Sequence, residues 1–282
     1  MSSSPSSSAQ AAREAVAARL KEMRLDAGLT GVELGVRCGW HKAKSSRIEN
    51  ARTPPSDADI RAWTRICGVP EQATDLIAAS RTAETMYVEW KRKQRTGLRR
   101  LQESYVPLYE RTRQFRVYSS DVVPGFLQTV DYATALLAAI TEFRGIPDDV
   151  SDAVEARMAR SQIIREGRRR FAFLIEESVL RYRIGDRETM SSQLEHLLTT
   201  MSLPTVSLGI IPFDVDRRIW PMEACYIYDD QLVQAELLTA DVSISTPGEV
   251  GTYLKAFARL QEEAVYGVKA RTLINSAIDA LG

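Results

Sequence analysis

The stretch from Gly28 to Asn50 constrains this chain more than any other part of it. Gly28 closes a preceding helix, because a residue without Cβ accepts the left-handed conformation of a C-terminal cap. Thr30 stands three residues before Glu33, the spacing at which a hydroxyl and a carboxylate satisfy each other's backbone N–H groups at a helix start. The short helix opened there ends near Cys38 and Gly39, and Gly39 supplies the positive backbone angle of a tight turn. A second short helix runs from about Lys42 to Asn50. Leu34 and Ile48 are the apolar pegs that pack both helices against a third, and Gly35 is small where the two cross. Such a stretch folds only as part of a compact helical unit.

The flanking residues complete that unit. Val16, Leu20, Met23 and Ala27 recur at spacings of three and four, so residues 11 to 27 read as a helix. Thr53-Pro54-Pro55 breaks the chain after Asn50, and Ser56 opens a fourth helix with Asp57 and Asp59 in its first turn. Pro70 sits in the first turn of a fifth, which runs to about Ser80. The expectation is an all-α five-helix domain over 11–80, preceded by a disordered Ser-rich tail over 1–10. Lys plus Arg equals Asp plus Glu at 37 each, so the whole-chain charge is uninformative. Its distribution is informative: Arg13 to Arg52 carries a net +4, whereas the chain from Gly185 onward carries −7. A basic N-terminal part fits contact with nucleic acid. The face left exposed on the third helix offers Lys42, Lys44 and Arg47, donors suited to guanine edges and phosphates.

From Thr30 through Ser45-Ser46-Arg47-Ile48-Glu49-Asn50, the stretch resembles the phage-repressor type of helix-turn-helix, the Cro/C1 or XRE-like family. The resemblance implies a recognition helix over His41–Asn50, with Lys42, Ala43 and Arg47 at base-reading positions. It places Thr30, His41, Lys44, Ser46, Asn50 and Arg52 against phosphates or sugars. Three residues depart from the family pattern: Gly31 replaces a phosphate-binding Gln, Ser45 replaces an apolar core residue, and Ala51 replaces a Gly. The alternative is a helical bundle that shares the fold without binding DNA. Trp40 reads as a core residue at the turn.

Residues 81–118 carry ten bases against four acids and read as a basic linker helix. Beyond them an α+β domain is expected over 119–282. Phe171–Ile175 and Val206–Ile211 read as strands, Met190–Met201 as an amphipathic helix, and Cys225–Tyr228 with Leu232–Leu238 as a hairpin. Two helices close the chain, from about Pro247 to Ala264 and from Val268 to Leu281. Val123-Pro124-Gly125-Phe126-Leu127-Gln128-Thr129 with Tyr132-Ala133, together with Arg157–Gln162, Phe171–Glu177 and Trp220-Pro221, is similar to actinobacterial regulators that join this helix-turn-helix to a domain of unknown function. Some of these are described as antitoxin-like, and the resemblance implies a small partner protein encoded by an adjacent gene. Read from the residues alone, Val123–Thr129 is a Pro-Gly turn opening a packed helix.

No P-loop, GxSxG, HExxH or Gly-rich dinucleotide loop is present, so an enzyme is not expected. Glu176-Glu177 reads as a solvated rim, His196 as a partly buried structural histidine, and Arg168-Arg169-Arg170 as a solvated loop. Cys38, Cys67 and Cys225 are scattered and odd in number, which argues against a disulfide framework or a structural zinc site. No cofactor or metal is expected. The longest apolar run, Ala135–Ile140, is too short for a membrane span, and the expected location is cytoplasmic. The partner expected is double-stranded DNA bound by a homodimer, probed at two half-sites about 34 Å apart. Two readings stay open: a dimeric repressor whose C-terminal domain senses a ligand or partner, and an antitoxin-like module that sequesters a small protein.

Overall fold

The computed structural model describes residues 5–41, 43–89 and 93–282. The chain divides into two compact units: residues 1–88 with Asp241–Ser243, and Glu89–Ala240 with Ile244–Gly282.

The first unit is built on α1 (Pro5–Asp26), α2 (Gly31–Arg37), α3 (Lys44–Glu49), α4 (Asp57–Ile66) and α5 (Ala73–Met86). Helix α1 begins at Pro5, inside the stretch expected to be a disordered tail. Proline at a helix start loses no hydrogen bond, and the alanines that follow favour the helix. The core gathers Val16, Leu20, Met23, Leu34, Ile48, Ile60, Trp63, Leu76 and Ile77. Trp63 donates its indole N–H to the Leu20 carbonyl at 2.9 Å, so a fully buried indole leaves no polar atom unmet.

The basic helix expected over 81–118 does not form. Helix α5 ends at Met86, strand β1 (Tyr87–Glu89) follows, and α6 (Arg99–Ser104), α7 (Val106–Arg111) and β2 (Gln114–Ser119) belong to the second unit. Gly97 interrupts the run at φ +94°, and a Cβ there would lie 2.3 Å from a carboxylate oxygen of Asp149. That carboxylate accepts the backbone N–H groups of Leu98 and Arg99 at 2.7 and 2.9 Å, capping α6 from 50 residues away.

The second unit is α+β, as its residues predict. Strand β2 pairs in parallel with β3 (Arg170–Glu176), and β3 in parallel with β4 (Val206–Ile211). On its other side β2 pairs antiparallel with β5 (Cys225–Tyr228), which forms the expected hairpin with β6 (Leu232–Glu236). A further strand, β7 (Ala240–Ile244), follows in the chain, and its middle residues Asp241–Ser243 belong to the first unit. Helices α8 (Val130–Arg144) and α9 (Val150–Ser161) make the β2–β3 crossover, and α10 (Glu177–Arg181) and α11 (Arg187–Thr200) the β3–β4 crossover. Helices α12 (Pro247–Glu263) and α13 (Gly267–Asp279) close the chain.

Register sets Phe115 opposite Phe171 and Tyr228, and Val117 opposite Phe173 and Tyr226, so one face of the sheet is aromatic. Tyr109 and Phe126 pack on it, with Phe126 5.4 Å from Phe115 and 5.3 Å from Phe171. The Val123–Thr129 segment is the turn that seats Phe126 there. Gln193, fully buried on α11, holds it by donating to the Leu127 carbonyl and accepting from the Thr129 N–H.

Candidate nucleic-acid interface

The local chemistry read at Gly28–Asn50 is present. Thr30 and Glu33 form a reciprocal capping box, Gly39 turns the chain at φ +70°, and Leu34 and Ile48 are buried in the core. Trp40 is half-buried against that core, 5.8 Å from Trp63. Gly35 has a weaker reason than expected: a Cβ there would meet Ser45 Oγ at 3.8 Å, an ordinary contact, so the helix crossing does not demand glycine. Ser45, which departs from the apolar pattern, is buried and donates its hydroxyl to the Gly31 carbonyl at 2.8 Å, so it ties α3 to α2. Ala51 takes φ +51°, a conformation that favours glycine.

Residues 45 and 48 face the core, which leaves Ala43, Ser46, Arg47 and Asn50 on the exposed side of α3, with His41 and Arg52 at its two ends. Arg47 is exposed and its guanidinium has no partner among the described residues. Asn50 donates its amide to the Ser46 carbonyl at 2.7 Å, closing the last turn. Thr30 keeps its hydroxyl in the capping box, donating to Glu33 at 2.8 Å while accepting the Glu33 N–H. Lys42 lies outside the described residues.

Lys44 is the correction on this face. Its Nζ bonds Asp59 at 2.6 Å and sits 4.8 Å from the centre of the Trp40 ring. The ammonium therefore points back at α4, drawn by a mostly buried carboxylate and an indole face, rather than out beside Arg47. Burial opposes ionisation of Asp59, but the bond to Lys44 and the cap on the Ser56 N–H outweigh it and hold the carboxyl below its ordinary value.

One positioning contact has no local sequence signal. Arg24 on α1 grips Glu49 through Nε at 2.5 Å and Nη2 at 3.0 Å, while Nη1 donates to the Leu29 carbonyl at 2.6 Å. The end of α3 is thus clamped to α1 by a bidentate pair, and the bond to Glu49 raises the Arg24 pKa.

Residues 15–77 match the family described as a helix-turn-helix domain. Residues 102–276, more than half of the chain, match the family described as a domain of unknown function, DUF5753. The chain belongs to the DUF5753 family. No curated protein matches it. Three solved structures each overlap 64% of this DUF5753 protein. NucT from Helicobacter pylori is 8% identical over 97% of its own chain, at a TM-score of 0.34. TrmBL2, an archaeal chromatin protein, is 12% identical over 52% of its chain at 0.32. A phospholipase D family member, Nuc from Salmonella typhimurium, is 11% identical over 95% of its chain at 0.35. Likeness at that level supports no argument.

Within the DUF5753 domain, Glu176 and Glu177 are buried, against the solvated rim expected. Glu176 closes β3 and binds Arg217 with both oxygens and the Tyr118 hydroxyl with one. Glu177 opens α10, where it accepts the Phe213 N–H at 3.1 Å and lies 3.5 Å from Arg181. A strand end, not a continuing strand, sits between them, so they do not alternate faces. Arg168 and Arg170 are exposed as expected. Arg169 instead folds back on Glu166 at 2.5 Å and on the Glu110 carbonyl at 3.1 Å. His196 is half-buried, which lowers its pKa, and lies 3.2 Å from the Thr200 hydroxyl. No helix among the described residues is long and apolar enough to cross a membrane.

Proposed function

We propose that this protein is a sequence-specific DNA-binding transcription regulator of the XRE, Cro/C1-like type, acting as a homodimeric repressor whose DUF5753 domain senses a ligand or partner. The supporting observation is the exposed side of α3. Arg47 stands there without a partner among the described residues, on a helix whose opposite side is packed and whose end is clamped by Arg24. A guanidinium presented on a rigid helix is suited to the O6 and N7 acceptors of guanine in the major groove. His41, Ser46, Asn50 and Arg52 flank it and take phosphate contacts, with Ala43 offering a methyl group to base edges. One such helix reads few bases, so two half-sites and a dimer built through the C-terminal unit complete the reading. The proposed activity is binding rather than catalysis.

The test is Arg47→Ala on a site selected from random duplex DNA. The variant should lose about 1–3 kcal/mol of specific affinity and relax its preference at one base pair. Unchanged affinity and selectivity would remove α3 from the groove. Light scattering at micromolar concentration checks the dimer.

A further inference from the structure

Helix α9 carries Arg157 and Arg160 three residues apart, on one side of the helix. Both are half-buried, and both lean on the same atom. The side-chain oxygen of Gln102 accepts from Arg157 Nε at 3.1 Å and from Arg160 Nε and Nη2 at 3.2 and 2.8 Å. Arg157 Nη1 also bonds Gln128 at 2.6 Å, and Arg160 Nη1 bonds the Tyr109 hydroxyl. The Arg160 guanidinium lies 5.2 and 5.1 Å from the ring centres of Tyr105 and Tyr109. Every one of these partners is neutral. No carboxylate is within ion-pair distance of either arginine among the described residues, whereas Arg24, Arg169 and Arg217 each hold one.

Two guanidinium groups that share one amide oxygen repel each other and are partly withdrawn from water. Burial first, then the charge of Arg160, pushes the Arg157 pKa down to about 10. Arg160 also lines a cavity of about 530 Å³ with Tyr109, Val106, Ile163 and Glu155. The other two arginines of that cavity are already spent, Arg99 on Glu103 and Asp152, and Arg169 on Glu166. Three of the five N–H donors of Arg160 are engaged, which leaves one hydrogen on each Nη for a ligand.

We infer that this cavity binds a small molecule through an oxyanion group, a carboxylate or a phosphate, held by Arg160 with the charge of Arg157 behind it. Glu103, Glu110, Asp152, Glu155 and Glu166 line the cavity against three arginines, so its wall repels a polyanion such as a nucleic-acid backbone and leaves room only for a small ligand seated directly on Arg160. Its regulatory meaning rests on the DNA-binding reading above; the binding itself does not.

The test therefore leaves DNA out. The full chain is melted in sodium phosphate and in sodium acetate, each against sodium chloride at matched ionic strength. The preferred acid should raise the melting temperature saturably, by about 3 °C at tenfold excess over its dissociation constant, and the two arms decide which acid group it is. Arg160→Gln should abolish the rise and Arg157→Gln should shrink it, while the exposed Arg168→Gln keeps it. Glu155→Gln is exposed and leaves the packing intact, so it covers the case in which the arginine variants fail to fold. It should tighten the response severalfold. An equal rise in chloride, a rise unchanged in Arg160→Gln, or no effect of Glu155→Gln would overturn the assignment.

Discussion

The two units treat an inward-facing arginine in opposite ways. In the N-terminal unit Arg24 is buried and paired with a carboxylate, with two bonds to Glu49 and one to a carbonyl. In the C-terminal unit Arg157 and Arg160 contact amides, a phenol and aromatic rings, and no carboxylate among the described residues. A paired charge that leaves water is a structural part, since its removal strands the partner. Charges crowded together with no carboxylate in contact, and only the more distant charge of Glu236 to offset them, raise the free energy of the fold, and such sites persist where a function keeps them. The contrast separates a clamp from a receptor, and substitutions can break it.

The largest effect belongs to the clamp. Glu49→Ala leaves the Arg24 guanidinium buried with a single carbonyl, and should destabilise the N-terminal unit by about 3 kcal/mol. Hydrogen exchange of the α1 and α3 amides reads this directly. A loss below about 1 kcal/mol would mean that water takes the place of Glu49, and the pair would then be an ordinary surface bridge.

That clamp also marks how far the sequence could be read. The caps, the turn glycine and the two pegs lie within a few residues of each other, and local chemistry alone places them. The strands at 171–175 and 206–211 and the hairpin were legible for the same reason, since short runs rich in apolar residues are bounded by charged residues, by prolines or by the Asp229-Asp230-Gln231 turn. The Arg24–Glu49 pair spans 25 residues with nothing periodic to announce it. Strand β2 was missed although Gln114–Val117 alternates polar and apolar residues as a half-buried strand does, because the longer basic run before it outweighed so short a signal. Glu176 and Glu177 looked solvated because their partners, Arg217 and the Phe213 N–H, come from a loop more than 35 residues away. At the candidate interface the same limit applies to Lys44. Its charge suggested the groove, but Asp59, fifteen residues on, takes it inward.

The Lys44–Asp59 pair stands between the two extremes, because Asp59 is mostly buried while Lys44 is about a third exposed. Its folded pKa lies below the ordinary carboxylate value, so the stabilisation is complete above the unfolded pKa near 4 and is lost as the pH falls through the lower, folded value. Asp59→Asn should therefore cost about 1 kcal/mol at pH 7, discounted for the water around Lys44, and the gap to the unsubstituted chain should close in strong acid. Urea midpoints at several pH values follow it. A gap that stays constant with pH would assign the effect to the Ser56 cap alone.

The smallest expected change is the most telling. Arg157→Met keeps an unbranched apolar stem, removes the guanidinium and with it one of two repelling charges, and leaves Arg160 holding Gln102. The Gln128 oxygen loses its donor, which offsets part of the relief. The net should lie within about 1 kcal/mol of zero, in contrast to the clamp. The Arg157 pKa is about 10, below the ordinary arginine value, so both the folded and the unfolded chain are protonated there in neutral solution. The difference between variant and parent is thus flat with pH until it approaches 10, where the parent begins to gain as the folded chain sheds that proton first. A loss of 3 kcal/mol or more at pH 7 would make Arg157 as structural as Arg24, and the arginine pair would then be a second clamp built from neutral partners.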